Sequence, residues 1–178
     1  VSWKFGAALL RGDHTNDLSS LWSRLGLKRV ATDEEVTLGD ATSSRFEATA
    51  VGALGGATLI LDQFLPYNCS FEDDDLWWFD EQLVEFSKHD DALVVLLDGV
   101  SGTYGFSFFS GGERVRRRSV VPGYGEIDEG EAIAGEGPSE DHEARIFSLI
   151  SQLTGMTWTQ ALTDETLKLT VWERPDDD

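Results

Sequence analysis

ALVVLLDGVSGTYGFSFFSGGERVRRRSVV, residues 92–121, carries three of the strands on which the fold turns. Residues 92–98 form an apolar run closed by Asp98, without the polar alternation of a strand that has a wet face. Such a strand is expected near the centre of a sheet covered on both sides. Asp98-Gly99 turns the chain. TYGFSFF at 103–109 then meets ERVRRRSVV at 113–121 through Gly111-Gly112, two residues that accept positive φ and suit a two-residue hairpin. This register sets Ser110 opposite Glu113, Phe109 opposite Arg114 and Phe108 opposite Val115. Gly105, Ser107 and Phe109 then share a face with Arg114, Arg116 and Arg118, while Tyr104, Phe106, Phe108 and Val115 share the core face. Arg117 falls beside Phe106 on the inner face, where it has to reach the rim, stack on an aromatic ring or pair with a carboxylate.

Four arginines in five positions stand out in a chain of formal net charge -19. Either they form a phosphate-binding stripe or they are neutralised internally. GEIDEGEAIAGEGPSED follows at 125–141, a Gly-rich acidic loop within reach of the arginine face, and internal compensation is the simpler account. Exposed pairs of this kind are individually worth roughly 0–1 kcal/mol, but together they cancel the local field that phosphate would need.

The remaining elements are read outward from this centre. WKFGAALL at 3–10 is a first strand, followed by a helix that Asn16 or Asp17 can cap, with Leu18, Leu21, Trp22 and Leu25 at helical spacing and Gly26 at its end. RFEATAVGALGGATLILD gives strands at 45–51 and 57–62 about a Gly52–Gly56 turn. A second helix is expected over 71–88, opened by Ser70 with Asp73 three residues on. A third starts near Ser139 and runs through Ile146, Phe147, Ile150 and Leu153 to Gly155, and TLKLTVW at 166–172 is the last strand. SLWSRL (20–25) echoes SLISQL (148–153), and TDEEVTL (32–38) echoes TDETLKL (163–169), in the same order. A duplication of this kind would put the first and third helices in equivalent places on one sheet. The expected architecture is one α+β domain over residues 1–174, a mostly antiparallel sheet with roughly three helices packed on it, and an acidic tail at 175–178.

Composition narrows the function. With 178 residues, 40% of them hydrophobic, the chain can bury a core without disulfides or metals. The one cysteine, Cys69, cannot form an internal bridge. No apolar run is long enough to cross a bilayer, no secretory signal is visible, and a cytoplasmic location is the default. Neither a phosphate loop nor a dinucleotide fingerprint is present. Gly99-Val100-Ser101-Gly102-Thr103 misses the nucleophile elbow because its last position is Thr. His14, His89 and His142 are far apart in sequence and no cysteine pair accompanies them, so no metal site or cofactor is expected. Asp13, His14 and Asp17 form the best local cluster for a general base, and helix capping explains them equally well.

The second helix holds the sharpest signal. Leu76, Trp77, Phe79, Leu83, Val84 and Phe86 lie on one apolar arc, whereas Trp78 projects with Asp74, Glu81 and Glu85. An indole ringed by carboxylates on a solvent face suits a basic protein partner, since tryptophan is enriched among interface hot spots and acids select cations. The bland alternative has residues 125–138 covering the ring. The resulting expectation is a non-catalytic acidic protein-binding module, monomeric or a weak homodimer, of the bacterial immunity or inhibitor type that neutralises a basic effector. Nucleic acid and membrane are not expected as partners. The alternatives are a hydrolase with an acid/base site of its own, or a nucleic-acid mimic that blocks a DNA-binding protein with rows of carboxylates.

Overall fold

The computed structural model describes residues 3–43, 45–66, 77–138 and 140–176. Nine antiparallel strands form one sheet: β1 (Lys4–Arg11), β2 (Val30–Val36), β3 (Thr49–Leu54), β4 (Ala57–Leu61), β5 (Ala92–Asp98), β6 (Thr103–Ser110), β7 (Glu113–Val121), β8 (Gly125–Gly130) and β9 (Leu169–Glu173), in the spatial order β2-β9-β3-β4-β1-β5-β6-β7-β8. The helices among the described residues are α1 (Leu18–Arg24), α2 (Leu38–Ala41), α3 (Trp78–Phe86), α4 (His142–Thr154) and α5 (Trp158–Thr163). The chain is thus an α+β fold built mostly of sheet. None of these helices is long and apolar enough to cross a membrane.

Alternation along the central strands divides the core in two. Phe5, Ala7 and Leu9 of β1, with Leu93, Val95 and Leu97 of β5, pack against Ile146, Leu149, Ile150 and Leu153 of α4 and against Leu38 and Trp158 of α2 and α5. Ala8, Leu10, Ala92 and Val94 point the other way, to Leu21, Trp22 and Leu25 at α1 and to Phe79, Leu83 and Phe86 of α3. Both faces of β5 are therefore dry, and its sequence carries no polar alternation for that reason. The two faces also rule out equivalent placement of the echoed helices, because α1 and α4 lie on opposite sides of the sheet. Their resemblance is that of two amphipathic helices, each burying a leucine stripe.

Caps fix the helix ends, Asp17 and Gly155 as expected and Asp141 in place of a start near Ser139. Asp17 accepts from Ser20 N at 3.0 Å to open α1, Asp141 accepts from Ala144 N at 3.2 Å to open α4, and Gly155 ends α4 at φ 78°. Several boundaries differ from the sequence reading: the last strand, expected at 166–172, runs Leu169–Glu173, and the helix expected from near Ser139 begins at His142. The strand expected at 45–51 occupies Thr49–Leu54, so Gly52 lies within it and the turn narrows to Gly55-Gly56. The helix expected over 71–88 is described from Trp78, and the Ser70 and Asp73 cap lies outside the described residues, as do Leu76 and Cys69. The acidic stretch 125–141 opens with a full edge strand, β8, paired to β7.

The hairpin register corrects the arginine assignment. Ser110 faces Glu113 and Phe109 faces Arg114, but Phe108 faces Arg116 because β7 bulges at Val115. One extra residue flips the strand beyond it. Arg116 and Arg118 therefore lie opposite Phe108 and Phe106 and share their face with α4, whereas Arg114 and Arg117, opposite Phe109 and Ser107, share the α3 face. Gly130 makes the bulge possible. At φ 84° it faces Arg116 across the ladder, and a Cβ there would stand 2.2 Å from the carbonyl oxygen of Val115.

Candidate partner-binding surface

Arg114, Arg116 and Arg118 are paired with the protein's own carboxylates. Arg116, 4% exposed, donates through Nε and Nη2 to Glu136 and through Nη1 to Asp128 and to the carbonyls of Glu129 and Gly130. Arg114 sits 3.7 Å from Asp80 of α3 and 3.8 Å from Glu129. Arg118 lies 3.9 Å from Asp128, and Arg117 is buried. Acids between 125 and 141 pair with Arg114, Arg116 and Arg118, by a strand and a buried carboxylate where solvated surface pairs were expected, and Asp80 of α3 adds to Arg114. Arg116 and Arg118 hold the Asp128 carboxyl below the usual carboxylate range, the hydrogen bond from Arg116 being the larger cause.

At the first turn of α4, His142 stacks on Tyr104 with ring centroids 6.0 Å apart, and its Nδ1 lies 3.3 Å from Arg145 Nη1. Burial, then the charges of Arg145 and Arg118, push its pKa down, against a weaker pull from Glu126 and Asp141. A histidine neutral in the fold but free to charge when unfolded gives stability that is complete above its ordinary pKa. That stability declines as pH falls, until the folded pKa is passed. The urea midpoint should drop between about pH 7.5 and about pH 5.5, and His142→Phe, which keeps the stacking surface, should flatten that drop. An unchanged slope in the variant would assign the effect to other groups.

α3 carries the predicted aromatic surface. Phe79, Leu83 and Phe86 are buried, and Asp80 turns inward to Arg114. Trp78 is 42% exposed, with its ring 5.1 Å from that of Trp77 and 5.7 Å from that of Phe79. Residues 125–138 do not seal it. Glu81 and Glu85, three and seven residues on, follow it along the helix and are exposed, Glu85 in a 2.6 Å pair with Lys88. Asp74, the fourth residue of the expected site, lies outside the described residues.

Family models, curated proteins and solved structures gave no match to this chain.

Trp78 has a second neighbourhood that sequence reading missed. It lines a cavity of about 530 Å³ with Gly26, Leu27, Lys28, Arg29, Phe64, Leu65, Trp77, Arg174 and Pro175. These residues come from the end of α1, the approach to β2, the exit of β4, the start of α3 and the exit of β9. Only the fold brings them together. Behind the cavity, buried Asp62 accepts from Thr49 Oγ1 at 2.7 Å, Phe64 N at 3.0 Å, and Arg29 Nη2 and Arg174 Nη2 at 3.1 Å each. The Arg174 guanidinium lies 4.4 Å over the Phe64 ring.

The alternative chemical clusters serve structure. Asp13 accepts from the backbone and hydroxyl of Thr15, Asp17 caps α1, and His14 Nε2 donates to the carbonyl of Arg11 at 2.9 Å. The Ser101 hydroxyl bonds within its own turn, to Thr103 Oγ1 and the carbonyl of Asp98. Among the described residues no group of three or more His, Cys, Asp or Glu could hold a metal ion.

Proposed function

We propose that the protein is a non-catalytic binding module that captures a basic protein on the outer face of α3, in the manner of an immunity or inhibitor protein neutralising an effector. The observation that supports this reading is the exposed Trp78 ring with Glu81 and Glu85 in line beside it. An indole left in water gains on being covered, whereas the carboxylates beside it favour a cationic surface and speed its approach. The net charge of -19 acts in the same direction at long range.

Affinity capture from native host extract at low and high salt, with Trp78→Ala as the control bait, would identify the basic protein. With that protein purified, Trp78→Ala should weaken binding at least about tenfold, chiefly through faster dissociation. Glu81→Lys should lower the association rate and its dependence on salt. Equal affinity of wild type and Trp78→Ala would remove this face from the function.

A further inference from the structure

We infer that the cavity between Trp78 and Arg174 is a binding site for a small organic anion, a flat aromatic body bearing a carboxylate. The inference is independent of the protein partner proposed above, although Trp78 borders both surfaces.

Shape and walls come first. The volume, about 530 Å³, falls in the range of cavities that hold small molecules. Phe64, Trp77 and Trp78 give it aromatic surface, and Leu27 and Leu65 add apolar wall. Such surfaces suit a planar ring system, which gains both apolar burial and offset or edge contacts.

Charge then selects the ligand. Among the described residues the charged side chains that line the cavity, Lys28, Arg29 and Arg174, are all cations, in a chain that is otherwise strongly acidic. Arg29 is spent: Nε donates to Thr49, Nη1 to the carbonyl of Lys28 and Nη2 to Asp62. Asp62 is spent as well, with four donors on its two oxygens. Lys28, by contrast, is exposed and has no carboxylate within 4.0 Å among the described residues. Arg174 uses one nitrogen on Asp62, which leaves the rest of its donor fork for a ligand. A guanidinium fork held in place by a buried acid, with an ammonium nearby, matches a planar carboxylate better than an isolated lysine pair would.

The probe is 1-naphthoate, titrated by calorimetry into the full chain, with 1-naphthylmethanol and 1-naphthylmethylamine as the neutral and cationic counterparts. One molecule of naphthoate should bind saturably, the alcohol about tenfold more weakly, and the amine not at all. Lys28→Gln and Arg174→Gln should each weaken naphthoate about tenfold. Lys28 makes no side-chain bond among the described residues, so its variant cannot act through folding. The inference is overturned by naphthoate failing to saturate at about 5 mM, by the alcohol binding equally well, or by undiminished binding in the Lys28→Gln, Arg174→Gln double variant. Glu81→Lys should leave naphthoate binding in place, so failure of the cavity and failure of the α3 protein face are separately readable.

Discussion

Arg116→Ala is expected to cost about 3–5 kcal/mol of folding stability, because it strands a carboxylate inside the protein. Glu136 is 5% exposed on its side chain and takes its two-point hydrogen bond from Arg116. With the guanidinium gone, Glu136 keeps the hydrogen bond from the Ile133 amide at 2.6 Å. Desolvation of the carboxylate then goes uncompensated. The same truncation frees the carbonyls of Glu129 and Gly130 and the carboxylate of Asp128, all on β8, so the edge strand should loosen first. Urea unfolding measures the loss, and a change below about 1 kcal/mol would mean that water reaches Glu136. Replacing Arg116 and Glu136 together by leucine should cost less than the two single changes combined, since no lone charge remains. Acid dependence gives a second readout. Arg116 depresses the Asp128 pKa, so the contribution of that pair is complete above the usual carboxylate range and fades as pH falls through the folded value; in Arg116→Ala this decline should be shallower.

The reach of sequence reasoning follows the range of the interactions involved. The β5 run and the Gly111-Gly112 hairpin are local, and both were legible: an apolar strand states that both its faces are covered, and two adjacent glycines state positive φ. Neutralisation of Arg116 and Arg118 was legible too, because the acidic stretch 125–141 is the next segment of the chain. The bulge at Val115 was not, since it depends on a glycine at position 130 that lets another backbone approach. That single unread residue moved Arg116 and Arg118 to the opposite face from Arg114. On α3 the helical period alone separated Trp78 from Phe79 and Leu83, and a nine-residue helix suffices for that inference. Asp80 escaped it, because its inward turn is decided by Arg114 on a distant strand. The cavity was invisible for the same reason in stronger form: Lys28, Phe64, Trp77 and Arg174 share no local pattern.

Asp62→Ala is the second large effect, again about 3–5 kcal/mol, and it tests whether the cavity is built or incidental. Asp62 is 3% exposed on its side chain, just beyond β4, and ties together residues 29, 49, 64 and 174. Its removal leaves the buried Arg29 guanidinium charged and short of an acceptor, and the Thr49 hydroxyl without its carboxylate. Burial, not the number of bonds, should order the variants at this site. Arg174 has one hydrogen bond to the same carboxylate as Arg29, but its side chain is 48% exposed, so water replaces that bond when it is lost. Arg174→Ala should therefore cost no more than about 1 kcal/mol, and Asp62→Asn, which keeps the shape and one good acceptor, should fall between the two. Denaturant midpoints with a constant slope would establish the order. If Arg174→Ala proved as damaging as Asp62→Ala, the outer arginine would be a structural post. If instead the order holds, Arg174 can be lost almost without penalty to the fold, and its placement over Phe64 at the mouth of a cation-lined cavity is better explained by what the cavity binds than by what the fold requires.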